Sequence, residues 1–165
     1  MIETDRLIIK PLSYQQLVKY IQVDPTLETD LQVNHTDRSI PPELQEALEQ
    51  TILPHVADPS RNYLFHTLWT IILKSENRMV GDICFVGEPD ERGAVEVGYG
   101  TYEAFQNRGI MSEALGGLII WARRQPGVKV IIASTEKTNI ASSAVLQKNG
   151  FIRCGESDNL VQWSR

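Results

Sequence analysis

VEVGYGTYEAFQNRGIMSEA, residues Val95 to Ala114, passes from a β-rich run through a short polar loop into an apolar run at helical spacing. Such a junction traps anions. The loop and the first helical turn carry backbone N–H groups without intrahelical acceptors, and the helix dipole adds partial positive charge, so a pyrophosphate can be held mainly by main chain. Gly109 allows close approach of the backbone, and Arg108 can add a charge-assisted contact. An ordinary strand-to-helix connection with a turn glycine has the same outline, so this alternative stays open on spacing alone. The chain has no GxxxxGK[ST] or GxGxxG, which lowers the weight of nucleoside triphosphates and dinucleotides. It has no GxSxG or Cys/His pairing either, which does the same for hydrolases.

Upstream, Thr4 to Pro11 reads as a strand, and Ser13 with Gln16 forms a capping box that opens a short helix. Leu27 to Ile40 is polar and acidic and is expected to be a loop. Pro41-Pro42 then opens a helix with Leu44, Leu48 and Ile52 on one face, which Pro54 ends or kinks. Leu64 to Leu73 and Met79 to Val86 are expected to pair across the turn Ser75 to Arg78, and a further turn, Glu88 to Gly93, leads into the strand Ala94 to Thr101.

Downstream, a helix from about Gly109 to Arg124 should bury Met111, Leu115, Leu118, Ile119 and Ala122. Its Gly116 and Gly117 call for close packing on a sheet as compensation. Val128 to Ser134 reads as a strand buried on both faces. A helix capped by Thr138 or Asn139 runs to Asn149, with Gly150 as a left-handed C-cap, and Phe151 to Gly155 and Asn159 to Ser164 are extended. The order β α α β β β α β α β β is α+β, with a β-α-β unit from Ala94 to Ser134.

A length of 165 residues, 42% hydrophobic and 22% charged, fits a single globular domain over 1–165. No apolar run suggests a membrane span and no leader pattern is seen at Met1 to Lys10, so a cytoplasmic location without membrane association is expected. Cys84 and Cys154 lie in apolar stretches without metal-ligand spacing and read as buried reduced thiols. His35, His55 and His66 also lack a metal-pair spacing, and no metal is expected. The net charge of −5 argues against non-specific nucleic-acid binding. Met1 to Thr101 carries 8 Lys/Arg against 16 Asp/Glu, and Tyr102 to Arg165 carries 8 against 5. This imbalance suits a basic C-terminal half holding an anionic cofactor and an acidic N-terminal half drawing a cationic acceptor; an accident of solvated faces would look the same.

The chain resembles the GNAT acyltransferases, in particular the branch that includes the ribosomal-protein alanine and serine N-acetyltransferases. TDRLIIKPL looks like that branch's opening strand, with Thr4, Arg6 and Leu7 on pattern, and VEVGYGTYEAFQNRGIMSEA looks like its strand and pyrophosphate loop. NIASSAVLQKNGF looks like its Asn-x-x-Ser helix ending in Gly-Phe, and Gly81 in MVGDICF fits the third strand. Two departures stand out. Met111 occupies the last small-residue position of the loop pattern, as is usual in this branch, and Leu146 stands where many relatives carry a tyrosine that protonates the departing thiolate.

The resemblance implies acetyl-CoA as co-substrate and a mixed, mostly antiparallel sheet with splayed central strands. Gly98, Tyr99, Gly100 and Thr101 would meet the pantetheine arm. Gln106, Asn107, Arg108, Gly109, Ile110, Met111 and Ser112 would hold the pyrophosphate. Asn139 and Ser142, one helical turn apart, would face the cofactor arm, with Ser142 assisting the thiolate; Asn139 as a simple helix cap remains the alternative. Glu96 is the first candidate for the base and Glu136 the second, and water or no base at all is compatible with the family. The acceptor would be a small-molecule amine or a protein N-terminal α-amine, and a homodimer is compatible with the resemblance. A catalytically idle acyl-CoA-binding domain, or a longer acyl donor, would leave the same sequence marks.

Overall fold

The computed structural model describes residues 1–165. Two short strands, β1 (Ile2–Glu3) and β2 (Leu7–Pro11), lead into α1 (Tyr14–Ile21), which is closed at its start by the expected capping box of Ser13 and Gln16. There follow α2 (Thr26–Leu31), α3 (Pro42–Ala47), a π-helical turn (Leu48–Ile52) and α4 (Leu53–Ala57). A meander of β3 (Leu68–Leu73), β4 (Arg78–Phe85) and β5 (Ala94–Thr101) precedes α5 (Ile110–Ala122), β6 (Val130–Glu136), α6 (Ile140–Lys148), β7 (Ile152–Glu156) and β8 (Leu160–Ser164). The strands form one eight-stranded sheet in the order β1-β2-β3-β4-β5-β6-β8-β7, with β5 and β6 the parallel pair and all other neighbours antiparallel.

Two apolar layers enclose the N-terminal half of the sheet. On one face α5 buries Met111, Ala114, Leu115, Leu118, Ile119 and Ala122 against Leu7, Ile9, Ile71, Val95 and Val97. A Cβ on Gly117 would lie 3.1 Å from Thr4 Cγ2 and 3.2 Å from Ile2 Cγ2, so the helix packs there as closely as its glycines permit. On the other face α1, α2 and the π-helical turn place Leu17, Tyr20, Leu27, Leu31 and Leu48 over Leu68, Ile72 and Met79.

Several expectations need correction. Leu27 to Ile40 is not all loop, because Leu27 and Leu31, one turn apart, bury a short helix. The helix begun at Pro42 is interrupted before Pro54, in keeping with a kink there, but it does not end: a π-helical turn joins α3 to α4. β3 starts at Leu68 rather than Leu64, since Asn62 caps a 3-10 turn over Tyr63–Phe65, and Arg78 lies in β4 rather than in the turn. β6 is covered on one face alone: Ile131, Ala133 and Thr135 are buried while Ser134 and Glu136 are exposed, because the N-terminal helices stop short of it. Cys84 is half-buried and Cys154 is exposed, so the pair are not two buried thiols.

Asp82 lies on β4 beneath α1. Tyr20 Oη donates to its Oδ2 at 2.6 Å and Tyr102 Oη at 2.9 Å, pinning α1 to the sheet. Burial pushes the Asp82 carboxyl up to about 6, with the phenol hydrogen bonds working in the opposite direction. A raised folded-state value means that this group's contribution to stability is fully present below about pH 4, the range of a free carboxyl, and is lost as the pH rises through about 6. Asp82→Asn keeps an oxygen for both phenols and removes the titration. Its melting temperature is expected to exceed that of the wild type at about pH 8, with the advantage gone by about pH 4. Parallel melting curves of the two proteins across that range would show that Asp82 titrates as a free carboxyl does.

Candidate active site

The sheet divides where β5 leaves β6. Pairing between them is confined to Ala94↔Val130, Val95↔Ile131 and Glu96↔Ile132, after which β5 continues beside β4 to Thr101 while β6 turns to β8. The closed end is fixed by Gly93, whose carbonyl accepts from Lys129 N at 2.8 Å and Val130 N at 3.1 Å. Gly93 has φ +79°, and a Cβ there would lie 2.6 Å from Gly127 O, so both backbone angle and space require glycine.

Beyond Glu96 the residues of β5 alternate in two senses. Val86 N donates to Glu96 O and Tyr102 N to Val80 O, so the even-numbered residues turn their backbone groups to β4. Val97, Tyr99 and Thr101 turn theirs the other way: the Val97 N–H closes the last bond to β6 at Ile132, and beyond it the Val97 carbonyl, the Tyr99 backbone and the Thr101 N–H face the opening. The side chains of Val95 and Val97 pack toward α5, leaving Glu96, Gly98 and Gly100 on the face of α1. Gly98 and Gly100 therefore offer space rather than backbone hydrogen bonds to whatever enters the opening.

Two side-chain contacts cross this opening. Ser134 Oγ of β6 donates to Glu96 Oε1 at 3.1 Å. Ser142 Oγ of α6 donates to Tyr99 Oη at 3.0 Å, and Tyr99 Oη donates back to the Ser142 carbonyl at 3.2 Å. Burial raises the Tyr99 phenol above its ordinary value, against the lowering effect of the Ser142 bond, so it remains protonated at neutral pH. Asn139 accepts from Ser142 N at 3.0 Å, which makes it the cap of α6. Leu146, one turn beyond Ser142, is fully buried in the core. Glu136 is exposed at the far end of β6.

The loop between β5 and α5 is shaped for an anion. Asn107 and Gly109 both have positive φ, 59° and 72°, and the N–H groups from Asn107 to Ser112 donate to no acceptor in the chain. Ile110 and Met111 hold this turn down by burying their side chains, and the Ser112 carbonyl accepts from Asn149 Nδ2 at 3.0 Å. Gln106 Nε2 donates to Thr101 O at 3.3 Å. Arg108 pairs with Glu76 at 3.0 Å, with its guanidinium 5.1 Å from the centre of the Phe105 ring.

Sequence reasoning missed what holds the loop. Arg6 Nη1 donates to the Arg108 carbonyl at 3.0 Å, while Arg6 Nε and Thr4 Oγ1 each donate at 2.6 Å to the two oxygens of Glu113 in the first turn of α5. Burial works to raise the Glu113 carboxyl, but the hydrogen bonds from Thr4 and Arg6 outweigh it and hold it below its ordinary value. The buried carboxylate of Asp82 was missed as well, although a lone acid inside the apolar run MVGDICF was a signal for it.

The comparisons agree with this architecture. A protein of Bacillus subtilis (strain 168), the uncharacterized N-acetyltransferase YjdG, is 36% identical over 95 residues, which cover 58% of this chain and 56% of that protein. The match thus spans little more than half the length of this relative. The solved structure of RimL, a ribosomal L7/L12 α-N-protein acetyltransferase in complex with coenzyme A, superposes with a TM-score of 0.68 at 20% identity, covering 98% of this chain and 94% of that one. The ribosomal-protein-S5-alanine acetyltransferase from Vibrio fischeri gives a TM-score of 0.68 at 20% identity, covering 99% and 94%. The Acetyltransferase (GNAT) domain family matches residues 6–152, nearly the whole chain, and the protein belongs to it.

Proposed function

We propose that this chain is an N-acetyltransferase that passes the acetyl group of acetyl-CoA to a primary amine. The parting of β5 from β6, bordered by an unpaired strand edge and leading to a loop of free N–H groups, is the observation that carries this reading. Its chemistry fits a pantetheine arm followed by a pyrophosphate. The Val97 carbonyl, the Tyr99 backbone groups and the Thr101 N–H can pair with the amides of the arm, and the N–H groups from Asn107 to Ser112 can hold the phosphates. RimL, bound to coenzyme A, shares this fold and supports the same co-substrate here. A small amine and a protein N-terminal α-amine are both acceptors of the right chemistry.

In the reaction the amine nitrogen bonds to the acetyl carbon, the carbon–sulfur bond breaks, and the ammonium proton leaves through a base. Glu96 stands at the point where the strands part and is the side chain best placed for that role, directly or through a water. Backbone N–H groups of the unpaired edge can polarise the thioester oxygen. Leu146 has no proton to give. The departing thiolate would instead be met by the Ser142 hydroxyl, which Tyr99 orients across the opening.

Three measurements test this reading. Gly109→Asp opposes both the positive φ and a bound anion, so acetyl-CoA affinity by calorimetry is expected to fall by roughly 100-fold or more; unchanged affinity in the folded variant would remove this loop from the phosphate site. Glu96→Gln is expected to lower kcat by roughly 100-fold while cofactor affinity is retained, with the loss easing as the pH rises and the amine deprotonates unaided. A wild-type pH–rate profile would move the role to water or to Glu136. Ser142→Ala should slow turnover by about 10 to 100-fold and Tyr99→Phe by no more than about 10-fold, each with affinity nearly unchanged. Affinity that falls in step with the rate would make the pair a cofactor-positioning contact.

A further inference from the structure

A cavity of about 780 Å³ opens on the α1 face of the sheet, beside the last residues of β5. Its walls include Tyr20, Arg38 and Leu44 from the N-terminal helical layer and Gly100 and Glu103 from the end of β5 and the turn that follows, with Asp82 as its floor. β5 runs from its junction with β6 at Glu96 to the cavity wall at Gly100. Glu96, Gly98 and Gly100 share the α1 face. A Cβ on Gly100 would meet nothing within 4 Å, and one on Gly98 would meet Cys84 Sγ alone, at 3.8 Å. Two absent side chains in succession thus leave a trough from Glu96 to the cavity. Its length is four residues of strand, about 13 Å.

The polar groups of the cavity are incompletely used. Asp82 Oδ2 accepts from both phenols, but the buried Oδ1 has no partner. Thr70, directly opposite Asp82 on β3, turns its hydroxyl to the same carboxylate and helps to lower its pKa, too poorly aligned to satisfy Oδ1 fully. Arg38, with 2% of its side chain exposed, lies 5.3 Å from the centre of the Tyr20 ring and gives Nη1 to Glu28 Oε1 at 2.7 Å, leaving Nε and Nη2 without acceptors. The rim adds Asp37 and Glu103. Glu28 already neutralises Arg38, the one base of the walls, so the field inside is negative. An uncompensated polar atom in such a place is costly, and a ligand that supplies its partner recovers that cost.

We propose that the acceptor is a molecule with two separated cationic groups, the reacting amine at Glu96 and a second cation about 13 Å along the glycine trough, in the cavity floored by Asp82. This rests on the acetyl-transfer reading above and adds the chemistry of the acceptor to it. Asp82 Oδ1, Asp37 and Glu103 meet the second cation, and the free donors of Arg38 take a neighbouring carbonyl or hydroxyl. Two sources have this chemistry, a peptide N-terminus with a basic residue near its start and a linear polyamine.

The test is calorimetric titration of the chain, with and without saturating coenzyme A, using matched pairs of acceptors. One pair is Ala-Ala-Lys-Ala amide and its norleucine counterpart, which lacks only the ammonium; the other is 1,10-diaminodecane and decylamine, which differ only in the second terminal ammonium. In at least one pair the dication is expected to bind about tenfold tighter or more, and that preference should fall to within about twofold in an Asp37→Asn, Glu103→Gln double variant, whose changes lie at exposed positions. The pair that shows the preference identifies the source. Equal affinities within both pairs, or a preference that survives the double variant, overturn the proposal. Thiol release with the same acceptors is read separately. A charge preference in binding without thiol release would overturn the transfer reading and leave the cavity's role standing, whereas thiol release without a charge preference would do the reverse.

Discussion

The three residue pairs that join β5 to β6 are the constraint on which the rest of the molecule depends. Were the ladder to continue, the Val97 carbonyl and the outward backbone groups of Tyr99 and Thr101 would be consumed by β6 and no open edge would remain. Were it absent, the two parts of the sheet would have no common reference. Gly93 resolves the conflict by gathering Lys129 and Val130 onto one carbonyl, in a space that no side chain could share. The hydroxyl bridges Ser134 to Glu96 and Ser142 to Tyr99 then span the gap without closing it.

A second constraint acts from the start of the chain. The loop between β5 and α5 could not keep its N–H groups unpaired if it were able to rearrange and pair them internally. Arg6 prevents this by holding the Arg108 carbonyl and Glu113 together, which keeps the loop in its left-handed conformation at Asn107 and Gly109. These contacts are partly exposed, so each adds little to global stability. Their effect lies in the pre-organisation of the loop.

Local pattern carried much of this architecture in advance. The capping box at Ser13, the buried stripe of α5 and the parallel unit from Ala94 to Ser134 are properties of short windows, and each is present as read. α2 was hidden because a single turn with two apolar residues in a polar context leaves too short a period to detect. The exposed face of β6 was hidden because coverage depends on where distant helices end, which composition along β6 does not encode. At the candidate site, the place of the loop between β5 and α5 was legible, as was the capping of α6 by Asn139, one of the two readings left open for that residue. The contact of Tyr99 with Ser142, 43 residues apart, and that of Arg6 with Arg108, 102 residues apart, were not, since both depend on how the sheet is assembled.

The short junction also bears on the order in which the molecule is built. β3, β4 and β5 are joined by short turns and pair antiparallel in sequence, so their contacts close small loops and form early. The junction with β6 must wait until α5 has crossed the sheet, and it then repays that closure with few ladder bonds. Folding would accordingly proceed from the meander outward, with the C-terminal hairpin of β7 and β8 docking last through Val161 and Trp163 into the common core. A chain arrested before that step would leave the outer edge of β6 without β8 beside it, an open template for pairing with another chain.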